Sequence, residues 1–199
     1  MRKSRLGSLL VALGVAAAFV FASAGTASAE DDPFSGLAAA DVPGVGDERA
    51  NLYQPFTNNH SGKCLEIPGG SNADGVQATQ YTCNGKTHQK WRVEFAGVKL
   101  GLKYYNLRSQ DSDKCLSVKG NNSANGTALI QWPCNPEDNA EAFVFLLVTG
   151  VGSGTNFVIK SLSTGKYLQV NGESLSNSAK ISIWSGQQKS HFYWKRPGW

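Results

Sequence analysis

The chain is poor in most of what catalysis and metal binding require. Its 199 residues include one methionine, three histidines, four cysteines and seven prolines, and only 17% are charged. The histidines (His60, His88, His191) lie far apart, and there is no Cys-x-x-Cys or ligand-spaced His pair, so no metal centre is expected. Carboxylates are few and scattered, and no motif surrounds any serine. That argues against a hydrolase and against an enzyme of any kind. The stretch Gly150-Val151-Gly152-Ser153-Gly154 lacks the lysine and hydroxyl of a phosphate-binding loop and precedes a strand pattern, so it reads as a turn and implies no cofactor. Amphipathic helical periodicity is missing throughout.

Long apolar runs are missing after residue 29. Before it, Arg2, Lys3 and Arg5 precede the run Leu9 to Phe21, and Ala27-Ser28-Ala29 forms a small-residue cleavage site. The run is short against the roughly 20 apolar residues a membrane span needs. Residues 1–29 are therefore expected to be a secretory signal peptide, leaving a secreted, extracellular chain that starts at Glu30 and has no membrane anchor. The leader takes three cations with it, so the remainder is near neutral, with 16 Lys/Arg against 15 Asp/Glu. Those cations are scattered, and no nucleic-acid partner is expected. Residues 30–52 are rich in Ala, Gly, Pro and acids without periodicity, and read as a flexible linker. The remaining 147 residues, 53–199, have the size of one domain, and a monomer is expected.

That domain repeats itself. Lys63-Cys64-Leu65-Glu66-Ile67 leads to Gln80-Tyr81-Thr82-Cys83 and Gln89-Lys90-Trp91. Lys114-Cys115-Leu116-Ser117-Val118 leads to Gln131-Trp132-Pro133-Cys134 and Phe143, and Lys166-Tyr167-Leu168-Gln169-Val170 leads to Ile183-Trp184-Ser185-Gly186 and Trp194. Positions 64, 115 and 167 are 51 and 52 residues apart, and Cys64–Cys83, Cys115–Cys134 and Tyr167–Gly186 each span 19. Three landmarks held in register three times make an internal repeat of about 51 residues, over 53–103, 104–154 and 155–199.

The repeat decides between the three connectivities four cysteines allow. Cys64–Cys83 and Cys115–Cys134 are equivalent, and the third unit lacks both partners together, as one bond within each unit requires. Each closed loop contributes on the order of 3 kcal/mol. Short β-branched and aromatic runs alternate with turn clusters such as Asn84-Gly85, Asn125-Gly126 and Asn171-Gly172, giving about four strands per unit. One unit alone buries too little to stand, whereas three about a pseudo-threefold axis share a core. The trios Phe56/Leu107/Ile159, Leu65/Leu116/Leu168, Ile67/Val118/Val170 and Trp91/Phe143/Trp194 are its expected layers. The fold class is all-β, a β-trefoil.

Gly62-Lys63-Cys64-Leu65-Glu66-Ile67-Pro68-Gly69-Gly70-Ser71, Tyr81-Thr82-Cys83-Asn84-Gly85 and Gln89-Lys90-Trp91 resemble the repeats of ricin B-type lectins, also found as family 13 carbohydrate-binding modules. The family's Gln-x-Trp is intact only at Gln89-Lys90-Trp91; the other units read Glu141-Ala142-Phe143 and Phe192-Tyr193-Trp194. The resemblance implies a lectin-like protein binding polysaccharide or glycan through one shallow pocket per repeat. Such a pocket has an acid two residues after the first cysteine, an aromatic two before the second, and a polar residue before Gln-x-Trp. A carboxylate accepts hydrogen bonds from neighbouring sugar hydroxyls, and a ring stacks on the sugar's C–H face. Carried onto this chain, the first pocket is Glu66, Tyr81 and His88 braced by Gln89. The second keeps Trp132 beside Ser117 and Ala140, and the third offers Gln169, Trp184 and His191. Intact chemistry ranks the first pocket ahead of the third and the second. The rival reading is a β-trefoil scaffold that binds a protein partner, as an inhibitor or accessory of a secreted enzyme.

Overall fold

A computed structural model describes residues 32–39, 52–135, 137–151 and 154–199, so the leader lies outside the described residues. Each repeat contributes four strands: β1 (Thr57–Asn58), β2 (Cys64–Glu66), β3 (Thr79–Tyr81) and β4 (Trp91–Lys99); β5 (Leu102–Ser109), β6 (Cys115–Val118), β7 (Leu129–Trp132) and β8 (Phe143–Val148); β9 (Asn156–Ser161), β10 (Tyr167–Val170), β11 (Ala179–Trp184) and β12 (Trp194–Lys195).

The first and fourth strands of the units form a six-stranded antiparallel barrel. Around it β4 pairs β5, β5 pairs β8, β8 pairs β9, β9 pairs β12 and β12 pairs β1. The bridge Gln54–Trp91 closes the ring. Closure pairs the backbone groups that an open sheet edge leaves to water. The hairpins β2–β3, β6–β7 and β10–β11 form a triangular cap, joined where β11 meets β3, Gln77 meets Ile130 and Ala128 meets Ser182. This is the β-trefoil expected from the repeat.

All four expected layers are core: each of the twelve side chains is at most 1% exposed. Trp91 and Trp194 also donate their indole N–H to the carbonyls of Leu65 and Leu168, which ties each barrel strand to its own hairpin. Phe143 carries no such donor. One layer breaks the apolar rule, because the position of Val93 and Phe145 is taken in the third unit by Arg196. Its guanidinium lies 4.6 Å from the Trp199 ring and donates to the Leu52 carbonyl at 2.7 Å. Burial pulls its pKa down to about 10.

Both expected disulfides are present, Cys64–Cys83 and Cys115–Cys134. The units also lap over one another. Asn125 accepts from the backbone N–H of Ser185, and Asn177 accepts from that of Thr82. The equivalent junction falls at Pro133, which has no N–H. There the matching residue, Asp74, pairs with the Lys114 ammonium instead.

The linker expected over 30–52 does not hold for residues 32–39. They lie against the second and third repeats, with Phe34 only 3% exposed beside Tyr167 and Ala39 bridging Leu146 on β8. A phenyl ring that finds an apolar slot stays there, because returning it to water costs about 2 kcal/mol.

Candidate functional site

The threefold arrangement puts three cavities at equivalent places, each against the outer face of a cap hairpin. The first is lined by Glu66, Gly69, Tyr81, Asn84, Lys86 and His88, with a volume of about 280 Å³. Glu66 and Tyr81 come from paired strands, and His88 from the short 3-10 turn Thr87–Gln89. The turn is held against the hairpin because the Ile67 N–H donates to the His88 carbonyl.

Gln89 ties the floor of the first cavity together. Gln89 is buried; its amide donates to Glu66 Oε2 at 3.0 Å and to the Thr82 carbonyl at 3.1 Å, and its oxygen accepts from the Asn84 N–H at 2.8 Å. Thr79 Oγ1 donates to Glu66 Oε1, and His88 Nε2 stands 3.5 Å from Oε2. The carboxylate is thus fixed at the pocket floor with lone pairs left for a ligand. Gly70, at φ +67°, lets Asp111 approach. A Cβ there would lie 2.5 Å from Asp111 Oδ2, and Asp111 in turn accepts from Thr87 Oγ1 at the start of the turn.

The second cavity is the largest, about 490 Å³, and includes Ser117, Lys119, Ile130, Trp132, Asp138 and Ala140. The sequence ranks it last because its ring survives at Trp132 while the acid expected at position 117 is replaced by Ser117. Asp138 was missed: it precedes the 3-10 turn Asn139–Glu141 and accepts from the Ala140 N–H at 2.9 Å, which brings a carboxylate in from the side. The extra residue of this unit between Cys134 and Phe143 was the available signal.

The third cavity, about 200 Å³, brings Gln169, Trp184 and His191 together with Gly172, Glu173 and Gln187. Glu173 was also missed. Its equivalents are Gly70 and Asn121, so it supplies an acid where strand position 169 has an amide. Its bond from Lys189 holds its carboxyl below the usual range. His191 is buried, and Nδ1 stands 4.0 Å from Glu173 Oε2 without a hydrogen-bond partner. Burial lowers its pKa, with Glu173 pulling the other way, so a neutral imidazole faces the cavity.

Tyr81, Trp132 and Trp184 are 38%, 45% and 37% exposed, whereas Trp91, Phe143 and Trp194 of the same units are fully buried. Core packing therefore does not account for the outer three. Each lines the cavity of its own repeat. The single cluster of metal-capable groups among the described residues is Cys115, Cys134 and Glu141, and its two sulfurs are joined to each other.

Comparison with known proteins places this architecture. Residues 42–132 match the family model described as ricin-type β-trefoil lectin domain-like. The match ends at Trp132, within the second repeat. Among solved structures, the designed threefold-symmetric protein ThreeFoil is 27% identical, with a TM-score of 0.64, over 72% of this chain and 96% of that one. An exo-β-1,3-galactanase from Clostridium thermocellum is also 27% identical, with a TM-score of 0.64, but the matched region is only 29% of its length. A ricin B-like lectin of Macrolepiota procera, solved with lactose, is 20% identical, with a TM-score of 0.57, over 73% of this chain and 94% of that one. The fold is the β-trefoil that these proteins share.

Proposed function

We propose that this is a secreted, non-catalytic carbohydrate-binding protein that holds polysaccharide or glycan through its three repeat pockets. The observation that carries the reading is the set of half-exposed rings, Tyr81, Trp132 and Trp184, each beside a polar floor at a symmetry-equivalent position. A sugar presents an apolar C–H face to such a ring and hydroxyls to the groups beside it. The carboxylates would be Glu66 in the first pocket, Asp138 in the second and Glu173 in the third. Two disulfides suit an oxidising, extracellular setting. A single shallow site of this kind binds at about millimolar, near −4 kcal/mol, and retention on a polymer comes from several sites engaging at once.

The test is retention of the purified chain on insoluble xylan, cellulose, chitin and a galactose-bearing resin. Tyr81→Ala, Trp132→Ala and Trp184→Ala are expected to weaken binding about tenfold at each working site, and the triple variant to pass through unretained. Retention of the triple variant would remove the pockets from the mechanism. The alternative is a scaffold for a protein partner. One observation favours it: Phe95, Val98 and Leu100 stand exposed on the β4–β5 hairpin. Failure on every matrix would put that reading first.

A further inference from the structure

The third repeat departs from the other two at three positions that meet in space. Where they carry a disulfide it has Tyr167 and Gly186, and where they have Gln89 and Glu141 it has Phe192. The changes leave a slot with aromatic walls, and Phe34 fills it. Its ring centroid lies 4.7 Å from that of Tyr167 and 6.3 Å from that of Phe192. Gly186 makes the room: a Cβ there would stand 2.6 Å from the Phe34 ring and 2.9 Å from the Tyr167 ring. Two residues earlier, the Asp32 carboxylate accepts from the Tyr167 hydroxyl at 2.8 Å and from Lys160 Nζ at 2.9 Å. Gln188 donates to the Pro33 carbonyl at 2.9 Å.

We infer that this slot is a peptide-binding site for an Asp-Pro-Phe segment, occupied by the chain's own residues 32–34, and that this latch replaces the third repeat's missing disulfide. Both devices join the same two points, the start of β10 and the loop after β11. The disulfide does so covalently, and the latch through a buried ring and a charged anchor. Burial opposes the charge of Asp32, yet its bonds from Lys160, Tyr167 and the Phe34 N–H win and hold its carboxyl below the usual range. A charged hydrogen-bonded anchor beside an apolar plug is the usual anatomy of a specific peptide site. Unlike a disulfide, the latch can open and rebind without redox chemistry. The loop it fastens also carries Gln187, which lines the third cavity next to Trp184. The latch therefore sets one wall of that pocket, whether or not the pocket binds sugar.

The experiment is hydrogen exchange on the full chain and on its Asp32→Ala/Phe34→Ala variant. Amides of residues 185–193 are expected to exchange about tenfold faster or more in the variant, with the first repeat, and the second outside β8, unchanged. A synthetic peptide of residues 30–39 is expected to bind the variant saturably, to restore protection, and to leave the parent chain, whose slot is filled, unlabelled. In a Tyr167→Cys/Gly186→Cys background, with the disulfide regained, the Asp32/Phe34 substitutions are expected to change nothing. Unchanged exchange at 185–193, no binding of the peptide, or faster exchange spread evenly over all three repeats would each overturn the latch. None of these readings uses a carbohydrate, so the latch and the lectin function fail separately.

Discussion

Trp91→Ala is expected to cost about 4–5 kcal/mol of folding stability, a large share of the roughly 5–15 kcal/mol a domain of this size has. The indole is fully buried in the layer it shares with Phe143 and Trp194, and its N–H donates to the Leu65 carbonyl at 3.0 Å. Alanine there leaves a cavity in a ring of three bulky side chains and removes the Leu65 carbonyl's side-chain donor. Trp91→Phe separates the two losses. It reproduces what the second repeat already has at Phe143, keeps most of the packing, and is expected to cost about 1–2 kcal/mol for the hydrogen bond and the smaller ring. Urea unfolding monitored by circular dichroism checks both. Equal costs for the two variants would mean that the bond to Leu65, rather than the filling of the layer, holds the hairpin to the barrel.

That layer was legible in the sequence because symmetry turns an offset along the chain into a position in space. Once 64, 115 and 167 are seen as one position, trios at matching offsets from them share a layer, with one residue added in the second unit for its insertion between Cys134 and Phe143, and the apolar trios do. The same logic paired the cysteines, whereas one pocket per repeat was implied by the resemblance to the ricin B-type lectins. What it could not read is what breaks the symmetry. Asp138 and Glu173 reach their cavities from short turns whose geometry no periodicity encodes. Arg196 stands in a core layer because Trp199, three residues on, returns to cover its guanidinium. Phe34 reads as an apolar residue in an acidic linker, since its slot is made by Tyr167, Gly186 and Phe192, more than 130 residues away. The losses at 167, 186 and 192 were visible as departures from the repeat. That they jointly make a site was not.

The second hallmark position carries its own consequence. Glu141 stands where the first repeat has Gln89, and it keeps half of that residue's work: its Oε2 accepts from the Asn135 N–H at 2.9 Å, as Gln89 accepts from Asn84. The other oxygen, Oε1, is buried without a hydrogen-bond partner, and the carboxyl lies within 4.8 Å of the Cys115 and Cys134 sulfurs. Burial, with a further push from the Asp138 charge, raises its pKa to about 7, against the Asn135 bond and Arg108, which pull it down. In its neutral form the carboxyl has an O–H to offer where Gln89 has its amide N–H. The native state therefore holds this proton more tightly than the unfolded chain, whose glutamates titrate near 4.5. Stability from this group is fully present below about pH 4.5 and drains away as pH rises, until it is lost above about pH 7. Glu141→Gln removes the titration and supplies the missing donor permanently. Above pH 7 the variant is expected to be more stable than the parent by up to about 3 kcal/mol, and the gap to close as pH falls towards 4.5. Urea midpoints of the two chains at half-unit pH steps check it, because groups common to both cancel in the difference. A difference that stays flat with pH would mean that Glu141 remains charged in the fold, and its buried oxygen would then need a cation or a water to meet it.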